Sequence, residues 1–333
     1  MPATTLLPNN FNLSLAMQQS ISQPYFLVGA ERSGTTLLRL MLNYHPEITW
    51  CNEFEYAVDQ IKQNKWPDLN DYYDWLETHR IFQDSHFEID TSLTYPQLVN
   101  SFLHQRLVRD DKPIIGATVH RHFDRLPKVW PDARYIHIVR DGRDVARSCI
   151  GMGWAGNVWR GVERWIEAEK MWVELSQKLS PDQKLEIVYE DLIVNYVDTL
   201  KKICSFIGVD YDAAMLDYVH SSDYSLPQPS LIQQWKKKQT NRQIQLVESR
   251  IADMLLERSY ELSGLEAIKV SLWEKGILRI HDWWGRINNR HERIGSALFV
   301  SDYLARKLRI IPWQKQTQLK INDIQRRGLK KST

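Results

Sequence analysis

A short glycine-bounded loop near the start of the chain carries the residue types that hold phosphate. The loop, residues 29–34, follows the apolar run from Tyr25 to Val28, and a helical pattern begins at Thr35. The first turn of a helix has backbone N–H groups without internal partners and the positive end of the peptide dipoles, so it attracts anions. Arg32, inside the loop, adds a cation. This order of strand, loop and helix predicts a phosphate site.

The loop differs from the nucleoside triphosphate loop at a decisive position. Gly29 and Gly34 have the spacing of the GxxxxGK[ST] motif, but Thr35 stands where that motif requires lysine. The cation instead lies earlier, at Arg32. This departure weakens an assignment as a simple Mg–ATP site, and the spacing alone also suits an ordinary turn before a core helix.

The full run from Arg32 to Leu38, RSGTTLL, resembles the phosphosulfate loop of sulfotransferases that use 3′-phosphoadenosine 5′-phosphosulfate (PAPS). In that family the loop amides, hydroxyls and cation hold the 5′-phosphate and the departing sulfuryl group. The resemblance implies donor-binding roles for five residues of this run: Arg32, Ser33, Gly34, Thr35 and Thr36.

A second motif lies downstream, where Arg140 follows a predicted strand and Ser148 comes eight residues later, in the next helix. Both side chains point back toward the carboxyl edge of the sheet, so they can converge on one anion. The pair resembles the 3′-phosphate site of sulfotransferases. Gly142 stands where that family commonly has proline, which should loosen the turn without removing either ligand. Taken alone, the RDGRD run is also typical of a capped helix start.

Further residues resemble family positions near the adenine and the acceptor. Tyr189 opens a YEDL stretch whose tyrosine lies near the adenine in sulfotransferases, although a half-buried tyrosine at a strand end has the same pattern. Sulfuryl transfer needs a base within hydrogen-bond reach of the acceptor proton. Glu53, 21 residues after Arg32, matches the catalytic glutamate of the tyrosylprotein branch. His120 matches the catalytic histidine of the cytosolic branch, so both candidates stay open.

The elements around these motifs indicate an α/β fold. Besides the strand before the loop, three buried strands are predicted over Pro113–Val119, Arg134–Val139 and Lys184–Tyr189, with Ile48–Asn52 as a short extended segment. Alternating strands and helices imply a P-loop-like parallel sheet flanked by helices, whose ligands bind at the carboxyl ends of the strands.

Three regions are predicted along the chain. Residues 1–22 form an N-terminal arm, residues 23–262 a sulfotransferase domain, and residues 263–333 a basic helical tail, the C-terminal helical appendage of the fold. Within the domain, residues 54–109 carry scattered aromatics and suggest short helices that form a lid. Residues 265–333 have a net charge of +9 and the remaining residues a net charge of −7.

The tail is too apolar for a disordered basic segment, so we expect helices with one apolar and one cationic face. Such a face could dock on the acidic body, or it could make a peripheral contact with an anionic membrane or an anionic acceptor. Trp283, Trp284 and Trp313 with nearby cations also permit nucleic-acid binding, but no recognised nucleic-acid motif supports it.

The composition and the cysteines indicate the structural class of the protein and its cellular compartment. Hydrophobic residues make up 43% of the chain and charged residues 25%, and no stretch approaches the length of uninterrupted apolar sequence that spans a membrane. Cys51, Cys149 and Cys204 form no CxxC and leave an odd thiol, which argues against disulfides and a zinc site. With no basic signal region before Arg32, a reducing cytoplasm is predicted.

These observations predict a PAPS-dependent sulfotransferase that moves sulfuryl to a hydroxyl or amine, releases 3′-phosphoadenosine 5′-phosphate (PAP) and needs no metal. Arg32 would stabilise charge on the departing phosphate. The alternatives are a nucleotide-dependent kinase of the P-loop class, which would need its cation from elsewhere, and a nucleic-acid-binding protein. A glycan, a lipid, a peptide tyrosine or a small metabolite could serve as the acceptor.

Overall fold

The sheet confirms the predicted parallel α/β architecture. A computed structural model describes residues 21–62 and 65–331, so the predicted arm lies almost wholly outside the described residues. The five strands are β1 (Tyr25–Val28), β2 (Ile48–Glu53), β3 (Ile114–Val119), β4 (Arg134–Val139) and β5 (Lys184–Val188). Their order is β2-β3-β1-β4-β5, and every neighbouring pair is parallel.

Helices connect and cover the strands in the described part of the chain. In chain order they are α1 (Thr35–Tyr44), α2 (Leu69–Leu76), α3 (Arg80–Ser85), α4 (Tyr95–Asp110), α5 (Gly142–Gly151), α6 (Val158–Gly161), α7 (Glu163–Ser176), α8 (Tyr189–Val194), α9 (Tyr196–Ile207), α10 (Trp235–Lys238), α11 (Asn241–Glu257), α12 (Leu272–Ile294), α13 (Ser296–Lys307) and α14 (Ile311–Lys331). Helix α5 begins directly after the Asp141 N-cap, whose side chain accepts a hydrogen bond from the Arg143 backbone N–H.

The alternation of side chains along β1 explains why the sheet is covered on both faces. Phe26 and Val28 belong to one buried cluster, with residues of α4, α5, α7 and α11. Tyr25 and Leu27 belong to the other, with residues of α1, α8 and α9. Successive side chains of a strand point to opposite faces, so a strand that is apolar throughout must lie between two layers.

Two elements differ from the sequence prediction. The segment predicted only as extended is a full strand, β2, which pairs on one side with β3 at the edge of the sheet. Its mixed sequence, ITWCNE, conceals this because an edge strand needs less apolar character than a central one. Tyr189, predicted to end the fourth strand, instead opens α8. The predicted lid contains α2, α3 and the longer α4.

The tail consists of helices that contact the acidic body. Lys315 Nζ of α14 lies 3.0 Å from a Glu77 carboxylate oxygen, and Arg326 Nε lies 2.6 Å from Asp84 Oδ1. On α12, Asp282 Oδ1 accepts a hydrogen bond of 2.8 Å from the Gly156 backbone N–H. The tail therefore docks on the body, in part through the opposite charges that the sequence indicates.

Candidate active site

The register of the sheet gathers the predicted motifs at one edge. Val28 at the end of β1 pairs with Val119 of β3 and His137 of β4, and Val139 pairs with Val188 of β5. The residues that follow these strands therefore meet at the carboxyl edge. They are the glycine-bounded loop, His120, Arg140 and Tyr189.

The loop has a conformation that its glycines permit. Gly29 and Gly34 have φ angles of 143° and 91°, where side chains are rarely accommodated. A Cβ at Gly34 would lie 2.3 Å from the Tyr189 ring, so the ring packs directly on this glycine. Arg32 also has a positive φ, of 72°, although it carries a side chain. Such strain is characteristic of ligand-binding segments.

Hydrogen bonds join the two predicted anion motifs. Arg32 Nε donates to Ser148 Oγ over 2.9 Å. Arg140 Nη1 donates to the Arg32 carbonyl oxygen, also over 2.9 Å, and its guanidinium lies 4.3 Å from the centre of the Tyr189 ring. Four of the predicted donor-binding residues therefore form one connected group.

A cavity of about 630 Å³ opens beside this group. Seven of the eight predicted donor-binding residues line it, namely Arg32, Gly34, Thr35, Thr36, Arg140, Ser148 and Tyr189. Two further cations also line it, Arg147 and Lys238, and the carboxylates on its wall are Asp144 and Asp223. The wall thus has more cations than carboxylates, which favours an anionic ligand.

Sequence reasoning missed Arg147 and Lys238. Arg147 directly precedes Ser148, so its place in the second motif was a signal that could have been used. Lys238 lies in the WKKK run of α10, and only tertiary packing brings it to the cavity. Asp144 helps to position that segment, because its carboxylate accepts the backbone N–H of Trp235 over 2.6 Å.

The eighth residue, Ser33, is fully buried in the loop. Its Oγ has no hydrogen-bond partner among the residues that the structure describes, and Arg140 Nε is likewise without one. Leaving a buried polar group unsatisfied costs about 1–3 kcal/mol. Donors of this kind, in a loop at a helix start, suit the oxygens of a phosphate-bearing ligand.

Below the loop lies a buried chain of three side chains. Thr35 Oγ1 is 2.9 Å from His120 Nε2, and His120 Nδ1 is 2.7 Å from Glu55 Oε1. The same carboxylate oxygen accepts the His120 backbone N–H over 2.9 Å. His120 is 7% exposed and Glu55 is 3% exposed, so water does not compete for these contacts. Glu55 was not predicted, although it lies two residues after Glu53.

The pair has perturbed acidities. Burial alone would lower the pKa of His120, but the hydrogen bond and charge of Glu55 raise it above its ordinary value of 6.5. Burial alone would raise the pKa of Glu55, yet the His120 contact leaves it below its ordinary value of 4.5. An imidazolium and a carboxylate therefore face each other across a range around weakly acidic pH.

Glu53 lies at the end of β2, opposite Thr118 of β3. Glu53 is partly exposed. Burial lowers the pKa of Arg39, and the negative charge of Glu53 opposes this effect. Neither Glu53 nor His120 belongs to the described lining of the cavity. The structure therefore places both candidate bases at the carboxyl edge of the sheet but outside the described lining of the cavity. Within the described ranges, no cluster of His, Cys, Asp or Glu has the arrangement of a metal site.

Comparisons with known proteins identify relatives of this chain. A sequence profile described as "Sulfotransferase family" matches residues 24–213. Protein-tyrosine sulfotransferase A of Caenorhabditis elegans is 24% identical over 209 residues, which cover 58% of this chain and 52% of the relative. Protein-tyrosine sulfotransferase of Drosophila melanogaster is 24% identical over 212 residues, covering 58% and 39%. The chain thus spans about half, or less, of the length of these relatives.

A solved structure supports the fold. The sulfotransferase STF9 from Mycobacterium avium aligns with a TM-score of 0.50 at 13% identity, covering 76% of this chain and 81% of that one. At this identity the likeness concerns the fold alone. It agrees with the parallel sheet flanked by helices described above.

The predicted cytoplasmic location is wrong. The finding that overturns it is the set of curated relatives, which are protein-tyrosine sulfotransferases. The inference failed because Cys51, Cys149 and Cys204 are all buried free thiols, and a buried cysteine behaves as a small apolar residue whatever the compartment. In the described part of the chain, no helix is long and apolar enough to cross a membrane.

Proposed function

This chain belongs to the sulfotransferase family, and we propose that it transfers a sulfuryl group from PAPS to an acceptor hydroxyl or amine and releases PAP. The observation that carries the proposal is the cavity of about 630 Å³, whose lining includes both the glycine-bounded loop and the Arg140/Ser148 motif. A donor nucleotide with phosphate at both the 5′ and the 3′ position of its ribose needs two such anion sites, one for each position.

The contacts between the motifs support this division of roles. The loop amides, Ser33 and the hydroxyls of Thr35 and Thr36 would hold the 5′-phosphosulfate, and Arg140 with Ser148 would hold the 3′-phosphate. Arg32 touches Ser148 through its Nε, which leaves its two terminal nitrogens for charge on the departing phosphate. Tyr189, which packs on Gly34, would contact the adenine.

The reaction forms one bond between sulfur and the acceptor oxygen or nitrogen, and it breaks the bond between sulfur and the 5′-phosphate oxygen. The acceptor proton passes to a carboxylate, for which we favour Glu53. Arg32 and the loop N–H groups stabilise the negative charge that grows on the leaving phosphate. The chemistry requires no metal ion, because guanidinium and amide donors can supply this stabilisation.

The bonding of His120 supports Glu53 as the base. A general base needs a free lone pair within reach of the proton that it accepts. When His120 is protonated, Nδ1 donates to Glu55 and Nε2 donates to Thr35 Oγ1, so neither nitrogen has a free lone pair. His120 then acts as a positioning residue: it fixes the Thr35 oxygen as an acceptor and leaves the hydroxyl hydrogen for the donor phosphate.

The first acceptor to test is tyrosine in a peptide, because the curated relatives are named for that substrate. No observation favours the two alternative functions. Thr35 still occupies the place of the kinase lysine, and no nucleic-acid motif emerges in the part of the chain that the structure describes.

The proposal is tested by product analysis. The full chain is incubated with PAPS and a panel of tyrosine peptides, hydroxylated glycans and amines, and PAP is quantified by chromatography. We expect acceptor-dependent PAP release that Arg32→Ala abolishes and the surface control Arg160→Ala retains, because Arg160 pairs with nearby Glu163, away from the cavity lining. Release of ADP from ATP with these acceptors, and no PAP from PAPS, would overturn the proposal in favour of a kinase.

A further inference from the structure

Helix α12 presents a row of large apolar side chains to solvent. Trp273, Ile277, Ile280 and Trp284, here called the α12 stripe, follow one another at intervals of four, three and four residues. Their exposed fractions are 80%, 52%, 61% and 54%. This spacing places all four on one face of the helix. Single exposed apolar residues are ordinary, but a contiguous row marks an interaction surface.

The opposite face of α12 is the one attached to the body. The Leu278 carbonyl oxygen accepts a hydrogen bond of 2.7 Å from Asn157 Nδ2, and the Asp282 carboxylate accepts the Gly156 N–H. Gly285 also lies against Gly156, because a Cβ at Gly285 would be 2.7 Å from the Gly156 Cα. The body thus holds α12 by its polar and small side, which directs the α12 stripe outward.

Cations run along one flank of the α12 stripe. Arg279, Arg286 and Arg290 are all exposed and lie seven and four residues apart. Arg286 pairs with Asp282 and Arg290 with Asp302, but Arg279 has no carboxylate partner among the described residues. With the tail at a net charge of +9, this flank suits a partner that is anionic as well as apolar.

Helix α13 extends the same kind of surface. Val300 and Leu304 of α13, and Leu308 directly after it, lie four residues apart and are 52%, 38% and 59% exposed. Beside them, Lys307 Nζ lies 5.8 Å from the centre of the Tyr303 ring. Two consecutive helices therefore combine exposed aliphatic and aromatic side chains with neighbouring cations.

We propose that the α12 stripe binds the surface of an anionic lipid bilayer. The two tryptophans would enter the headgroup region, where indole rings are favoured because one part is apolar and the N–H is polar. Arg279 would face lipid phosphates, and the apolar side chains would reach the acyl boundary, as in helices that lie in the plane of a membrane. Arg293, near the end of α12, donates to the carbonyl of Gly151, which lines the cavity. The C-terminal end of α12, beyond the α12 stripe, therefore lies near the cavity.

Vesicle flotation of the full chain tests this proposal. The probes are vesicles of phosphatidylcholine alone and vesicles of equal parts phosphatidylcholine and phosphatidylglycerol. The double variant Trp273→Ser/Trp284→Ser removes the aromatic part of the α12 stripe. Its matched control, Val173→Ser/Leu256→Ser, removes apolar side chains of the body that are 44% and 56% exposed.

We expect the full chain and the control to float with the mixed vesicles, and the stripe variant to lose at least about tenfold in partitioning. Arg279→Gln should weaken binding about fivefold, and added salt should weaken it further. Absence of flotation with mixed vesicles, or equal flotation of the stripe variant, would overturn the proposal.

Two further measurements distinguish lipid binding from self-association and from misfolding of the variant. If light scattering shows a dimer that the stripe variant loses, and the dimer does not float, the stripe is an interface between copies and the lipid proposal fails. If the stripe variant does not fold, a second measurement on the unchanged full chain takes the place of the variant's flotation. This measurement is the quenching of tryptophan fluorescence by brominated lipid. Quenching supports insertion, and unchanged fluorescence contradicts it. Neither readout depends on sulfuryl transfer, so this proposal stands or falls separately from the proposed function.

Discussion

His120 Nδ1 lies 2.7 Å from Glu55 Oε1, in a pair that is almost completely closed to water and touches the donor-binding loop through Thr35. The pair joins the end of β3 to the turn after β2. It therefore connects the packing of the sheet edge with the orientation of the Thr35 hydroxyl in the candidate site. Its effects on stability, pH dependence and binding can be measured separately.

Glu55→Ala should destabilise the protein by about 3–5 kcal/mol, because it leaves a buried histidine without its countercharge. Glu55→Gln keeps an acceptor oxygen and should cost less. Denaturant unfolding measures both variants. Glu167→Ala is the control, since Glu167 is exposed on α7 and should change the unfolding free energy by no more than about 0.5 kcal/mol. If the Glu55→Ala variant is as stable as this control, the claim that the His120–Glu55 pair stabilises the fold is contradicted.

The pH dependence of stability follows from the two pKa shifts. The raised pKa of His120 contributes stability that is complete below pH 6.5 and is lost as the pH rises through the folded-state value. The lowered pKa of Glu55 contributes stability that is complete above pH 4.5 and is lost as the pH falls through the folded-state value. The contribution of the pair should therefore be largest between these two pH values.

Unfolding titrations of the wild type and of His120→Gln/Glu55→Gln measure this contribution. The difference in unfolding free energy should peak in the window from pH 4.5 to 6.5 and shrink on both sides. Buried His137 also has a raised pKa, since contacts with Glu169 and Glu186 outweigh the opposing effect of burial. Both proteins retain His137, so its pH dependence cancels in the difference. A difference that is flat with pH would contradict the assigned shifts.

Gly34→Ala should damage both stability and donor binding. Gly34 and Gly208 have similar φ angles of 91° and 97°, but a Cβ at Gly208 meets open space whereas one at Gly34 meets the Tyr189 ring. Gly208→Ala should thus cost only the strain of a left-handed alanine, about 1–2 kcal/mol. Gly34→Ala should cost about 1–3 kcal/mol more and weaken PAP binding, which calorimetry measures. Equal behaviour of the two variants would show that the Tyr189 contact is unimportant.

Glu53→Gln tests the proposed base. It should leave PAP affinity nearly unchanged and lower turnover on the true acceptor by about 100-fold or more. Glu47→Gln is the matched control, because Glu47 is an exposed carboxylate just before the same strand and should retain activity. If Glu53→Gln remains active while His120→Ala loses turnover with PAP affinity intact, the two roles must be exchanged.

The sequence predicted local features of the fold and site better than those created by tertiary packing. The loop around Arg32 could be predicted because strand, glycines and helix start follow one another in the chain. Glu55 could not, because it meets His120 only when β2 joins the edge of the sheet. Lys238 reaches the cavity through contacts near α10 that leave no sequence pattern. The cysteines misled because burial, not compartment, accounts for their state.

The central claim is that one cavity holds a nucleotide by phosphates at both its 5′ and 3′ positions. Calorimetric titration with PAP and with AMP, which lacks the 3′-phosphate, tests it most directly. A charge-assisted contact is worth about 1.5–3 kcal/mol, so PAP should bind about tenfold tighter than AMP or better. Arg140→Ala and Ser148→Ala should remove most of this preference, and the surface control Arg160→Ala should keep it. Equal affinity of the wild-type protein for PAP and AMP would contradict the assignment.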